Sequence, residues 1–223
     1  MTSLQTTRQA MNSVRRGAAL LCVLAVASTA QGAESMSPAD ILAWERRDFA
    51  DPTAYRLEEH AGQTLLQAQC RNAASALYLE TTIDLRETPV LEWSWTVADV
   101  FDNTDETRKS GDDYPVRLYV VKDGGLFAWR TRAVNYVWSS HQPVGTVWTN
   151  AYASQARMLA LQSGAPEQAG PVTERRNVRE DFQRLHGMAL DSIDGIAIMT
   201  DCDDSGQPAT GWYGAIRWLP AAE

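Results

Sequence analysis

Residues 91–97, LEWSWTV, alternate without a break: Leu91, Trp93, Trp95 and Val97 point one way, and Glu92, Ser94 and Thr96 the other. A period of two marks a strand with one face against a core. Shorter runs of strand type recur at Leu65 to Gln69, Ala76 to Glu80, Ile83 to Leu85, Leu126 to Arg130, Ala133 to Ser139, Ile193 to Thr200 and Gly211 to Leu219. Val116 to Val121 is apolar on both faces. Ala156 to Gln162 fits strand or helix, and Gly164 and Pro166 close behind it favour strand. Helical spacing is clear at Val178 to His186, where Val178, Phe182 and Leu185 share a face and Gly187 follows as the stop. Ser37 to Asp40 reads as a cap ahead of Ile41, Leu42 and Trp44, one further helical turn. A polar loop, Asp99 to Asp113, and an irregular stretch, His141 to Tyr152, lie between the runs. Short strands, few helices and a turn every ten residues or so predict an all-β fold of two sheets. The long connections suit a jelly-roll β-sandwich, with one or two short helices, better than a meander.

The amino terminus belongs to something else. Arg8, Arg15 and Arg16 precede an apolar stretch, Gly17 to Ala27, that is too short to span a bilayer, and Ser28-Thr29-Ala30 offers a cleavage site. Residues 1–30 therefore read as a signal peptide, with an uncleaved anchor as the alternative, and residues 31–223 as a single domain. No small residue sits beside Cys22 as a lipoprotein cysteine needs, so no membrane anchor is expected after cleavage. The expected location is periplasmic or extracellular. Cleavage would remove three arginines and no acid from a chain already at −8. That balance opposes nucleic acid and anionic membranes as partners. Cys70 and Cys202 remain, and in an oxidising compartment they can pair; unpaired, they are two small hydrophobes.

The polar chemistry collects at two places. KSGDDYPVRLYVV, residues 109–121, sets Arg117 in an apolar strand, where a cation needs a carboxylate or a ligand. Asp112 or Asp113 is the nearest partner along the chain and the expected one. The other is TDCDDSG, residues 200–206. Asp201, Asp203, Ser205 and Gly206 imitate the start of a calcium loop, but the twelfth position holds Trp212 instead of glutamate. An Asx-type turn between strands is the preferred reading, with structural calcium as the alternative and no other cofactor expected. Arg176, Asn177, Glu180 and Asp181 lie at a helix start, where Asn177 can cap the first turn. Tyr136, Trp138, Trp148, Tyr152 and Trp212 sit near loops, where flat rings can stack on sugars. His60, His141 and His186 lack a zinc spacing, and there is no P-loop, dinucleotide fingerprint or G-x-S-x-G.

GDDYPVRLYVV, NYVWS, RNVREDF and GIAIMTDCDD followed by WYGAIRW together resemble the bacterial secreted family catalogued as domain of unknown function 3047, over roughly residues 40–220. Gly170-Pro171-Val172 replaces an expected tryptophan, and Ala151 an expected proline. The resemblance implies a sandwich similar to galactose-binding and carbohydrate-binding modules. The reading is a secreted, non-catalytic binder of a saccharide, a cell-envelope glycan or another small polar ligand. Its expected ligand residues are Asp113, Arg117, Asn135, Trp138, Asn177 and Asp201. An envelope-carbohydrate enzyme using Asp112, Asp113 or Asp201, and a structural or protein-interaction module, stand as alternatives.

Overall fold

The computed structural model describes residues 34–221; the signal-peptide reading of residues 1–30 lies outside the described residues. In chain order the strands are β1 (Glu34–Met36), β2 (Glu45–Asp48), β3 (Ala54–His60), β4 (Gln63–Cys70), β5 (Ala74–Asp84), β6 (Val90–Val97), β7 (Arg117–Lys122), β8 (Arg132–Ser139), β9 (Val147–Thr149), β10 (Ala156–Ser163), β11 (Val172–Asn177), β12 (Ser192–Asp201) and β13 (Ala209–Leu219). Two short helices, α1 (Pro38–Leu42) and α2 (Val178–His186), complete the set. One sheet runs β11-β6-β13-β4-β3, with β1 also paired to β13; the other runs β2-β5-β12-β7-β8-β10-β9. The protein is an all-β, two-sheet sandwich of jelly-roll type.

The alternation in β6 works as expected: Leu91, Trp93, Trp95 and Val97 are buried, with Trp93 at 5.2 Å from both Trp95 and Tyr136. Tyr136 comes from β8, so this contact crosses between the sheets. Tyr213, Ile216 and Trp218 extend the same layer, opposed by Leu118, Val120, Ile196 and Ile198 of the second sheet. Ser37 caps α1 reciprocally, its Oγ accepting from the Asp40 N–H at 3.2 Å while its own N–H donates to Asp40 Oδ2 at 2.8 Å. Asn177 caps α2 through the Glu180 N–H, and Gly187 ends it in the left-handed region at φ 68°. Val178 and Phe182 bury the inner face of α2.

Several expectations need correction. Leu126 to Arg130 is not a strand: it is a loop ending in a 3-10 turn, with Leu126, Phe127 and Trp129 exposed. Its apolar residues lack the alternating polar face that would have paired them. The stretch from His141 to Tyr152 contains β9, whose Trp148 packs near Tyr114. Ile83 belongs to one long strand with Ala76, because β5 runs unbroken to Asp84. Ala156 to Ser163 is indeed strand, but it pairs with β8 in parallel, which the sequence offered no means of seeing.

Candidate functional site

Five strands of the larger sheet turn one set of side chains into the core and the other set outward. Outward are Ala74, Ala76 and Tyr78 of β5, Ala197, Met199 and Asp201 of β12, Arg117 and Tyr119 of β7, Asn135 of β8 and Ala156 of β10. They floor an open cleft of about 800 Å³. Small residues let the floor lie flat. Gly195 does the same for Tyr78: a Cβ there would stand 2.4 Å from the tyrosine hydroxyl, so only glycine admits the ring. Loops raise the walls, with Asp112, Asn150, Tyr152, Asp203 and Asp204 at one end and Asp123 and Thr131 at the other.

Arg117 sits at the base of the first end, 5% exposed. Its partner is Asp201, bound through Nη2, and not Asp112 or Asp113 as chain proximity suggested. The reason is register. Met199 lies opposite Arg117 across β12, which brings Asp201, two residues on, to the same face. Nη2 also points at Met199 Sδ at 3.0 Å, and the guanidinium lies 5.2 Å from the rings of Tyr114 and Tyr119. Asp201 accepts a second bond, from the Tyr114 N–H at 3.1 Å. Burial pushes the Asp201 carboxyl well above the usual range; Arg117 pulls it back, while Asp113 and Asp112 push it up again.

The adjacent aspartates part company. Asp112 faces the cleft and accepts from Asn150 Nδ2 at 2.7 and 3.0 Å and from the Tyr114 hydroxyl at 3.0 Å. Burial raises its pKa against those bonds. Asp113 faces away and clamps the acidic turn, accepting the N–H groups of Asp204 at 3.2 Å and Ser205 at 2.5 Å. Asp203 and Asp204 are raised too, by burial first, with Asp113 adding to both. Tyr152 donates to Asp204 at 2.5 Å. Asp113, Asp201 and Asp203 place carboxylate oxygens within 4.8 Å of one another, so these three are the hard ligands that could hold a cation. Ser205, placed in the expected calcium loop with Asp201 and Asp203, has its Oγ accepting from the Gln207 N–H.

Residues 42–217 match the family model described as protein of unknown function, DUF3047. The chain belongs to this family. No curated protein matches it. Among solved structures, it is similar to the glycoside hydrolase domain of Endo-D from Streptococcus pneumoniae R6 at 7% identity and a TM-score of 0.42, over 81% of this chain and 22% of that one. It is also similar to the family 11 carbohydrate-binding module from Clostridium thermocellum, in complex with a β-1,3-1,4-mixed-linked tetrasaccharide. There the identity is 8% and the TM-score 0.46, over 86% of this chain and 98% of that one. The family 30 module of a Clostridium thermocellum cellulosomal cellulase gives 11% and 0.42, over 80% and 99%. What the DUF3047 cleft can take has to come from its own side chains.

Of the six ligand residues expected, Arg117, Asn135 and Asp201 line the cleft. Asp113 stands behind it. Trp138 is a correction: it is 3% exposed on the core face, its Nε1 donating to the Gly164 carbonyl at 2.8 Å. Asn177 is another, since its side chain is engaged in the α2 cap. Tyr136 is core, Trp148 donates to the Glu106 carbonyl at 3.1 Å, and Trp212 stacks on His60 at 4.2 Å. Only Tyr152 of the expected platform lines the cleft. Tyr78 and Tyr119 were missed; each sits in a run rich in aliphatic residues, where tyrosine passes for filler. Cys70 and Cys202 form a disulfide, their Cα atoms 6.0 Å apart, tying β4 to the acidic turn.

Proposed function

We propose that this DUF3047 protein is a non-catalytic saccharide-binding module that works after export and seats its ligand along the outer face of the seven-stranded sheet. The observation that carries this is the cleft itself: a flat floor of Ala76, Ala197 and Ala156 flanked by the rings of Tyr78, Tyr119 and Tyr152, with amide and carboxylate groups around it. Sugar rings have an apolar face that packs on such a surface, and hydroxyls that exchange hydrogen bonds with carboxylates and amides. A disulfide supports a periplasmic or extracellular location. The carboxylates that would have to serve as acid and base are occupied, Asp112 by Asn150 and Tyr114, Asp201 by Arg117. That favours binding over turnover.

The test is a glycan array with the full chain, followed by titration of the best ligand against Tyr78→Ala and Tyr152→Ala. Each ring lost should weaken binding about tenfold or more, as for an aromatic anchor of a binding surface. Binding indifferent to both substitutions would remove the cleft from consideration. Release of new reducing ends, abolished in Asp112→Asn, would make the protein an enzyme instead.

A further inference from the structure

The cleft's charge is gathered at its two ends. Asp112, Asp203 and Asp204 stand by Arg117, and Glu80, Asp123 and Asp194 stand at the other end. Arg117 lies opposite Met199 and Val121 opposite Gly195, so four steps of strand, about 13 Å, separate the two groups. The floor between them is neutral. A smaller groove continues from the far end, sharing Glu80, Asp123 and Asp194 and adding the hydroxyls of Thr81 and Thr82.

Positive charge at the cleft is engaged except at Arg117 Nε, which has no partner among the described residues, and Lys109 lies at the rim, 4.8 Å over the Tyr152 ring. Arg117 is bound to Asp201, and Arg47 lies 4.0 Å over the Tyr78 ring and 3.4 Å from Glu45. Lys122 neutralises Asp194 alone, at 2.9 Å. An acceptor is left open as well. Asn135 is 1% exposed, its Nδ2 lies 3.1 Å from Met158 Sδ, and its Oδ1 has no partner among the described residues. Buried acceptors are rarely left so, and this one belongs to a side chain of the cleft floor.

We propose that the ligand is an oligosaccharide of amino sugars carrying free amines. Ammonium groups meet the carboxylates at each end, ring faces lie on the alanine and tyrosine floor, and a hydroxyl or amine proton goes to Asn135 Oδ1. This rests on the saccharide reading of the same cleft and narrows it. Neutral glycans leave both acidic ends uncompensated, and anionic ones are repelled. A linear polyamine satisfies the ends but has no ring face for the floor. The carboxyls of Asp112, Asp203 and Asp204 agree, since burial raises all three although Arg117 pulls each of them down and Lys109 pulls Asp204 down.

The experiment is calorimetric titration of the full chain with the β-1,4-linked glucosamine tetramer and with its fully N-acetylated counterpart, at low and high salt. The amine tetramer should bind at least about tenfold tighter at low salt, and the gap should shrink at high salt. Glu80→Gln combined with Asp203→Asn, both exposed positions, should narrow the gap with the circular dichroism spectrum unchanged. Equal affinity for the two tetramers overturns the amine requirement and leaves the saccharide reading standing. Spermine binding as tightly as the amine tetramer overturns it too, leaving only an acidic sink. If no glycan of any charge binds, both readings fall together.

Discussion

Asp201→Asn should destabilise this protein more than Arg117→Met, although the two side chains are partners in one ion pair. Both are nearly out of solvent, at 5% exposure for Arg117 and 3% for Asp201. Removing one member of such a pair strands the other, at a cost of about 3–5 kcal/mol. The stranded groups differ. A guanidinium cannot shed its proton in a protein, so Arg117 left facing a neutral amide stays charged and bears the full desolvation cost. A carboxyl can take one up. Asp201 is already pushed well above the usual range by burial, and without Arg117 it is freed of the one strong pull against that shift. Arg117→Met should therefore cost clearly less, about 1–3 kcal/mol, mostly packing and the loss of the contacts to Met199, Tyr114 and Tyr119. The double variant removes both charges and should regain much of the loss, giving a coupling of about 2 kcal/mol or more. Urea unfolding followed by tryptophan fluorescence reads all four proteins, with equal slopes required for comparison. The asymmetry has a pH signature: Arg117→Met should recover stability on acidification and Asp201→Asn should not. Two single variants within about 0.5 kcal/mol of the parent would refute the reasoning, because the pair would then be hydrated through the cleft and worth no more than a surface bridge.

Three further outcomes are expected. The bridge joins Cys70 to Cys202 across a sequence separation of 132, so Cys70→Ser with Cys202→Ser should lower unfolding free energy by about 2–5 kcal/mol in the same urea assay. Glu106, fully buried, accepts from the Ser139 hydroxyl and from the N–H groups of Ser140 and Gln142; Glu106→Ala strands those donors, should cost about 2–4 kcal/mol, and should expose the loop from Phe101 to Asp112 to limited proteolysis. Burial raises Glu106, Asp112 and Glu174 above their ordinary values of 4.5, 3.8 and 4.5. The folded state thus keeps protons that the unfolded chain has lost, and stability falls as pH rises from the ordinary carboxyl range through those folded values. Asp84 works the other way, lowered to about 2 by Arg86, so the melting temperature should rise out of the acid range and then decline from the ordinary carboxyl values through the raised ones, with His186, lowered from 6.5 by burial, offsetting part of that decline. A melting temperature flat or rising over that span would contradict this.

The strands that sequence reasoning missed share one position. β2 and β3 lie at edges of their sheets, as do β9 and β11, and β1 hangs beside β13. ERRD in β2 is exposed at every residue, and AYRLEEH in β3 has no buried position. An edge strand needs charge to discourage a further strand from pairing with it, and the same charge erases the alternation by which a strand is recognised. Central β6, packed on one side by the core, kept its alternation. The α2 cap and its glycine stop were legible because capping is local chemistry, settled within four residues.

The site was only half legible, because its geometry is made by partners far apart in the chain. Arg117 announced itself as a cation in an apolar strand, yet Asp201 is 84 residues on, and only the β7–β12 register decides which aspartate reaches it. Asp112 and Asp113, adjacent in sequence, ended with opposite tasks, Asp112 held by Asn150 and Tyr114 where the chain leaves a 3-10 turn and Asp113 by the backbone of the acidic turn. The cleft floor was the least visible part. Val116 to Val121 reads as apolar on both faces, and a strand of that kind calls for a covering layer on each side. The inner face has its layer in β6 and β13. On the outer face, among the described residues, Tyr119 and Val121 meet only the cleft, half-buried with no sheet or helix laid over them. That outer face, Arg117, Tyr119 and Val121, is partly apolar and lies at the bottom of a walled groove, the kind of patch that marks a ligand groove. Under the proposed function, sugar rings would supply that missing second layer of β7.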